Sequence, residues 1–443
     1  MACILPFRGL RYNPQMLSDL ASVTSLPYDV LSEKDREELY QANPYNIVRL
    51  IWGKDLPEDD AQENKYVRAG RLLQEWQQKA ILIRDEEKAF YLYAQDFALS
   101  GQSEKSRRGI FARVKLEDLN SDTILRHEST FPVPKADRLH LLQATRANLD
   151  SIFTIYESGS NKLDTILDER MKGSPLVDIR DREGVRNRLW ALKEPGDQER
   201  IRKVLADRQL LIADGHHRYE AALEYRREMM SQEGRVRGKE DAGYHYAMMM
   251  LVDIEDPGLI ILPYHRLIGG VPGWDLKGFL GKASEYFSVE EKRTPSAEEE
   301  RQRHIADRLE RRGLFAHSFA LYAGGNTVFF LGLKDEGIIG SLGRETHSET
   351  VRKLDVTIMD RLILHGLLGY QEVAKGGKIG YTPNMKEALR QVEDGTYDLA
   401  FLLKPTTLQE VKSICLAGER MPQKSTYFYP KLLSGLVINL HDR

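Results

Sequence analysis

Apolar positions along the chain switch repeatedly between a period of two and a period near 3.6, and the switches mark out the elements. Ala89 to Phe97 and Gly109 to Leu116 alternate and are rich in β-formers. The polar turn between them, Ser100 to Arg108, predicts a hairpin. A second hairpin is predicted from Phe319 to Ala323 and Thr327 to Leu333, turning at Gly324-Gly325-Asn326. Residues 61 to 80 place Tyr66, Ala69, Leu72, Leu73 and Trp76 on one helix face. Ser32 with Asp35 has the form of a helix start, and Asn43-Pro44 that of a stop. Ile47 to Trp52 and Ser151 to Tyr156 read as strands, and residues 135 to 150 as a helix. A helix from Gln198 to Ala206 leads into a buried-strand pattern at Gln209 to Ala213, followed by a helix to about Met230. Tyr244 to Asp253 and Leu259 to Leu267 read as strands joined by a turn at Glu255 to Gly258. Further on, 291 to 313 and Val351 to Leu368 read as helices, Leu399 to Lys404 as a strand, Leu408 to Leu416 as a helix and Leu436 to Leu440 as a strand. The pattern is mixed α and β without regular βαβ alternation.

A chain of 443 residues has length for two or three domains. Composition changes after Gly269 to Gly273, which predicts a first domain over 1–270 and an α+β domain over 271–443. Lys and Arg number 64 and Asp and Glu 67, for a formal charge of −3. That balance disfavours a nucleic-acid-coating protein, which needs a basic surplus. No apolar run reaches the ~20 residues that span a bilayer, and the N-terminus lacks the form of a secretory signal. The two cysteines, Cys3 and Cys415, cannot build a disulfide framework. A cytoplasmic protein without a membrane partner is expected, with room for a homo-oligomer.

The chemistry concentrates at Asp214-Gly215-His216-His217-Arg218, between a strand and a helix. Gly215 permits a positive φ. The free N–H groups and dipole of the helix start favour an anion, and Arg218 adds a planar fork of donors. His216 and His217 can donate to the same oxygens. Asp214 can hold Mg²⁺ or a substrate amine or hydroxyl. The same spacing also fits a capped helix with surface histidines. Zinc is disfavoured, because adjacent histidines point to different helix faces.

Other candidates are spread along the chain. Glu128, after His127 and before Pro132 and Pro134, is a candidate base or metal ligand, and Asp29 in Pro27-Tyr28-Asp29 is another. Lys135 and Arg138, three apart on one helix face, could clamp a phosphate or carboxylate, with Arg146 and Asn148 further along. His265 and Arg266 end a strand, while Lys424, Ser425 and Thr426 suit an anion beside the aromatic run Tyr427 to Tyr429. Walker, dinucleotide-binding and Gly-x-Ser-x-Gly patterns are absent.

Ala213 to Ala222 resembles the phosphate-binding motif of free-serine kinases in the sulfiredoxin and ParB superfamily. Pro6 to Asn13, Pro27 to Val30, Asn43 to Leu50, His127-Glu128 with Thr130, Lys135 to Arg138, Ala144 to Asn148, Leu262 to Arg266 and Met421 to Lys431 resemble a bacterial family catalogued as domain of unknown function number ten-fifteen. Tyr264 stands where that family's Pro-Thr-His-Arg has Thr. The resemblance implies an α+β sulfiredoxin/ParB-like catalytic portion and phosphorylation of the hydroxyl of free L-serine, with ATP, ADP or pyrophosphate as donor and Mg²⁺ as cofactor. It implies catalytic roles for Glu128, Asp214, His217 and Asp29. It also implies phosphate binding by Gly215, His216, His217, Arg218 and Arg8. Substrate contacts are implied for His127, Lys135, Arg138, Arg146, Asn148, His265, Lys424, Ser425 and Thr426. Rival readings are a ParB-like CTP or ATP switch associated with DNA, and a non-catalytic regulator that binds a phosphorylated metabolite.

Overall fold

The computed structural model describes residues 2–99, 103–159, 163–233, 242–271, 273–311, 317–341, 348–369 and 378–441. The expected turn positions Ser100, Gly101, Gln102 and Pro272, and the helix positions Arg312 and Gly313, lie outside them. The chain forms two compact units. The first holds Met1–Arg126, Thr130–Ile260 and Pro430–Arg443; the second holds His127–Ser129 and Ile261–Tyr429. Sequence composition follows chain order, so it places a boundary near 270 but cannot reveal a C-terminal segment that returns to the first unit.

The first unit is built on a large mixed sheet. Its strand order is Ile124–Arg126, Leu210–Asp214, Ile152–Tyr156, Tyr246–Asp253, Lys105–Lys115, Phe90–Phe97, Arg186–Leu192 and Val177–Arg180, with Ile4–Leu5 also on Lys105–Lys115. The predicted hairpin is present, with Tyr91 opposite Phe111. Leu210–Asp214 runs parallel to Ile124–Arg126 and antiparallel to Ile152–Tyr156. The helix Pro132–Thr145 starts earlier than expected. Pro132 stands in its first turn, where its fixed φ and missing N–H cost nothing. One apolar core includes Leu92, Ile152, Ile212, Tyr219 and Leu223, and a second gathers Leu10, Leu50, Leu73 and Trp76.

Capping predicts helix ends well here. Ser32 and Asp35 form a reciprocal capping box on Glu33–Ala42. Ile47 to Trp52 departs from expectation. Val48–Ile51 is a short helix whose Val48 N–H donates to the Asn46 side chain at 2.9 Å. A buried apolar run that short shows no period, so β-branched composition misleads. The expected strand Leu259 to Leu267 divides at Pro263, which has no N–H, into Ile260–Leu262 and His265–Gly269.

The second unit holds an antiparallel sheet ordered Phe287–Arg293, Thr327–Leu333, Ser318–Tyr322, Leu399–Leu402, His265–Gly269 and Lys378–Thr382. Glu298–Arg311 covers it through Ile305 and Leu309, both buried. The expected helix Val351 to Leu368 is three pieces: Glu349–Arg352, Asp355–Ile358 and a wide π-helical stretch, Met359–Leu367. Among the described residues no helix is long and apolar enough to cross a membrane.

Candidate functional site

The strand Leu210–Asp214 has an irregular register against its neighbour between Ile212 and Asp214. Such a bulge re-aims the side chain that follows it. Gly215 then takes φ +92°, and the 18-residue helix His216–Glu233 begins. A Cβ on Gly215 would stand 2.9 Å from Nε of Arg218. The glycine therefore serves two needs, the turn and the close passage of the guanidinium.

The Gly215 N–H donates to Oδ1 of Asp214 at 3.0 Å. On its other oxygen, Asp214 receives Nζ of Lys431 at 3.0 Å, with Nη2 of Arg218 3.6 Å away. Burial alone would raise the Asp214 pKa. Lys431, Arg218 and His216 outweigh it and hold the carboxyl well below the usual carboxylate range. Nη1 of Arg218 donates to the Ser151 carbonyl. Burial works against the Arg218 charge, but Asp214, Asp29 and Asp150 together raise its pKa. Asp150 in turn accepts from the Ser434 hydroxyl. Beside these groups lies a cavity of about 50 Å³, lined by Arg138, Asn148, Asp150, Arg218 and Met248 among others. It suits a few waters or one small polar group.

His217 is committed differently from expectation. Its Nε2 accepts the Phe131 N–H at 3.0 Å, which places the ring proton of the neutral form on Nδ1. His216 is buried. Asp29 is exposed on its turn, near enough to Arg218 to act on its charge. Arg138 is buried; it donates to Asp137 and to the Ile51 carbonyl and lies 3.8 Å over the Tyr28 ring. Lys135 pairs with Glu224 at 3.0 Å. Asn148 is spent internally, since Oδ1 accepts from the Met248 N–H at 3.0 Å and the Asn439 amide at 2.9 Å. Arg146 is an exposed left-handed helix cap, and Arg8 is exposed with Nε on the Asp85 carbonyl.

The remaining candidates belong to the second unit. His127 is buried, with Nε2 3.0 Å from the Thr426 hydroxyl. Its carbonyl accepts from Met421 N–H at 2.7 Å, and Glu128 bridges Met421 in parallel fashion. The Ser425 hydroxyl donates to the Pro422 carbonyl. Lys424, at φ +56°, places Nζ 5.1 Å over the Tyr264 ring. His265 is buried, and Nδ1 accepts the Leu403 N–H at 3.3 Å.

Lys431, Asp150, Ser151 and Tyr28 are in place around the site but absent from the expected set. Lys431 had a signal, as the last residue of the Met421 to Lys431 segment. Asp150 and Ser151 had none. The donor set does not fit a resident divalent cation, because Asp214 is already held by Lys431 and Arg218. Among the described residues no three His, Cys, Asp or Glu side chains group to hold a metal.

A family profile described as "Protein of unknown function (DUF1015)" matches residues 4–357. The chain belongs to that family. Among solved structures it is similar to free serine kinase in complex with AMP, at 16% identity and TM-score 0.35, covering 75% of this chain and 91% of that one. A mutant free serine kinase in complex with ADP gives 16% and 0.36, with coverages of 76% and 94%. A conserved hypothetical protein from Pyrococcus furiosus gives 15% and 0.35, with coverages of 75% and 95%. No curated protein matches in sequence.

Proposed function

We propose that the protein is a small-molecule kinase that transfers a phosphoryl group to the hydroxyl of free L-serine, with ATP, ADP or pyrophosphate as donor. The observation that carries this reading is the Gly215 turn. It opens a long helix at a strand end and lays the Arg218 guanidinium across the opening. The positive end of the helix dipole and a guanidinium form an anion site whose donors are fixed before the ligand arrives. Asp29 and Asp150, whose charges act on Arg218, suit a substrate that also carries an ammonium group.

In the reaction the serine oxygen forms a bond to phosphorus while the donor's bridging P–O bond breaks. The leaving phosphate or nucleotide keeps that electron pair, and the hydroxyl proton passes to a carboxylate. Asp29, exposed and close to Arg218, is the candidate acceptor. Asp214 is a poor proton acceptor, because Lys431 and Arg218 stabilise its charged form. Its part is to orient the Gly215 amide and Arg218. His217 holds the Phe131 backbone, so its part is to fix the loop before the helix Pro132–Thr145.

The test is purified protein with serine and each donor, with and without Mg²⁺, scored by O-phosphoserine. Product with at least one donor, lost in Arg218→Ala, is expected. No product with any donor overturns the reading.

A further inference from the structure

The segment Pro430–Arg443 belongs to the first unit, although more than two hundred residues separate it from the site strand. It is stitched in by backbone pairs, Ser434 with Ser25, Ile438 with Leu10, and Asn439–Leu440 with Ala147–Asn148. Its first two residues are gripped by a buried polar network. Arg107 donates to the Pro430 carbonyl and to Oε1 of Gln95. The Gln95 amide donates to the Lys431 carbonyl at 2.9 Å and to Asn187 at 3.1 Å. Arg107, Gln95 and Asn187 are each 0% exposed. Such a network does not slide, because any slip leaves buried donors unpaired.

The clamp fixes where the Lys431 ammonium stands, at 3.0 Å from Oδ2 of Asp214 and 5% exposed. Asp214 therefore lies between two cations of unequal closeness. Lys431 takes up most of its charge, and Arg218, at 3.6 Å, keeps its own hydrogen bond to Ser151. We infer that Lys431 is a positioning residue of the donor site. By neutralising Asp214 it leaves the Arg218 charge available to an anion, and Arg107 with Gln95 holds it in register. This inference rests on the proposed phosphate-binding role of the helix start. Without Lys431 the Asp214 carboxylate closes on Arg218, and the site loses the field of the cation that faces the donor.

The experiment titrates full-length protein calorimetrically with ADP and with inorganic pyrophosphate. Lys431→Met is expected to weaken binding by about tenfold or more, the loss of one charge-assisted contact. Lys431→Arg is expected to retain most of it. Gln95→Leu, which frees the clamp, is expected to weaken binding like Lys431→Met. The deciding arm is the double variant Asp214→Asn with Lys431→Met. Removing both charges is expected to restore binding towards wild type, whereas recovery of urea stability without recovery of binding would mark the lysine as merely structural. Urea unfolding of the same variants is expected to show Lys431→Met as the least stable and the double variant as partly recovered. Wild type that binds neither probe overturns the functional reading. Wild type that binds, with Lys431→Met unchanged or the double variant binding no better than Lys431→Met, overturns this inference alone.

Discussion

Gly215→Ala offers a direct measure of how much the site depends on one missing methyl group. The backbone stands at φ +92°, where any L side chain is strained by about 1–3 kcal/mol. The new Cβ would also stand 2.9 Å from Nε and 3.1 Å from Cζ of Arg218. The guanidinium must move, and with it go the hydrogen bond to Ser151 and the alignment with Asp214. A charge-assisted hydrogen bond contributes about 1.5–3 kcal/mol. The total expected loss is therefore about 2.5–6 kcal/mol. Gly184 provides the control. It stands at φ +81° in the turn before Arg186–Leu192, and a Cβ there meets nothing within 4 Å. Gly184→Ala carries the strain alone, so about 1–3 kcal/mol is expected. Urea unfolding of both variants, with pyrophosphate titration of each, separates the terms. Gly215→Ala is expected to be the less stable and to lose the anion, while Gly184→Ala binds like wild type. Equal losses in the two variants, or normal pyrophosphate binding by Gly215→Ala, would refute the account of the turn.

Three further outcomes follow from groups elsewhere. Burial, reinforced by Arg266, pushes the His265 pKa down to about 3. The unfolded chain binds that proton below about 6.5 and the native one does not, so stability falls as pH drops from 6.5 towards 3. The loss is about 2 kcal/mol at pH 5 relative to pH 7.5, measured by urea unfolding; a His265→Gln variant with the same pH slope would exclude His265 as its source. Arg266 is fully buried with Asp360 at 3.6 Å. Asp360→Asn should cost about 3 kcal/mol by leaving that charge uncompensated, and thermal unfolding should show recovery on adding Arg266→Met. Asn46→Ala removes the amide that donates to the Ser22 and Thr24 carbonyls at 2.8 and 3.0 Å and the acceptor for Val48 N–H. A loss of about 2–3 kcal/mol is expected in chemical denaturation, and a loss below 0.5 kcal/mol would refute the capping role.

Local signals were read correctly where the cause was local. Ser32 and Asp35 name a helix start because their side chains bond the backbone three residues away. Leu408–Leu416 is bounded by the same device at Thr407 and Glu410. The Asp214-Gly215 turn was legible because glycine is the residue that takes its φ without strain. What stayed hidden was set by distant chain. Lys431 meets Asp214 across 217 positions, and Ser434 meets Asp150 across 284. No period or motif spans such separations. Asn148 shows the converse: expected along a helix, it stands on the strand Ala147–Asn148 with Oδ1 held by the Met248 N–H and Asn439.

The return of Pro430–Arg443 also orders events during synthesis. Strand, turn and helix around Asp214 emerge from the ribosome more than two hundred residues before their counter-charge, Lys431. Until then Asp214 lacks the Lys431 ammonium, and Asp150 lacks its serine donor. A nascent chain thus carries a less compensated centre, and Arg107 and Gln95 lack the Pro430 and Lys431 carbonyls. Compensation of Asp214 is then completed in one step, when Pro430–Arg443 joins the first unit.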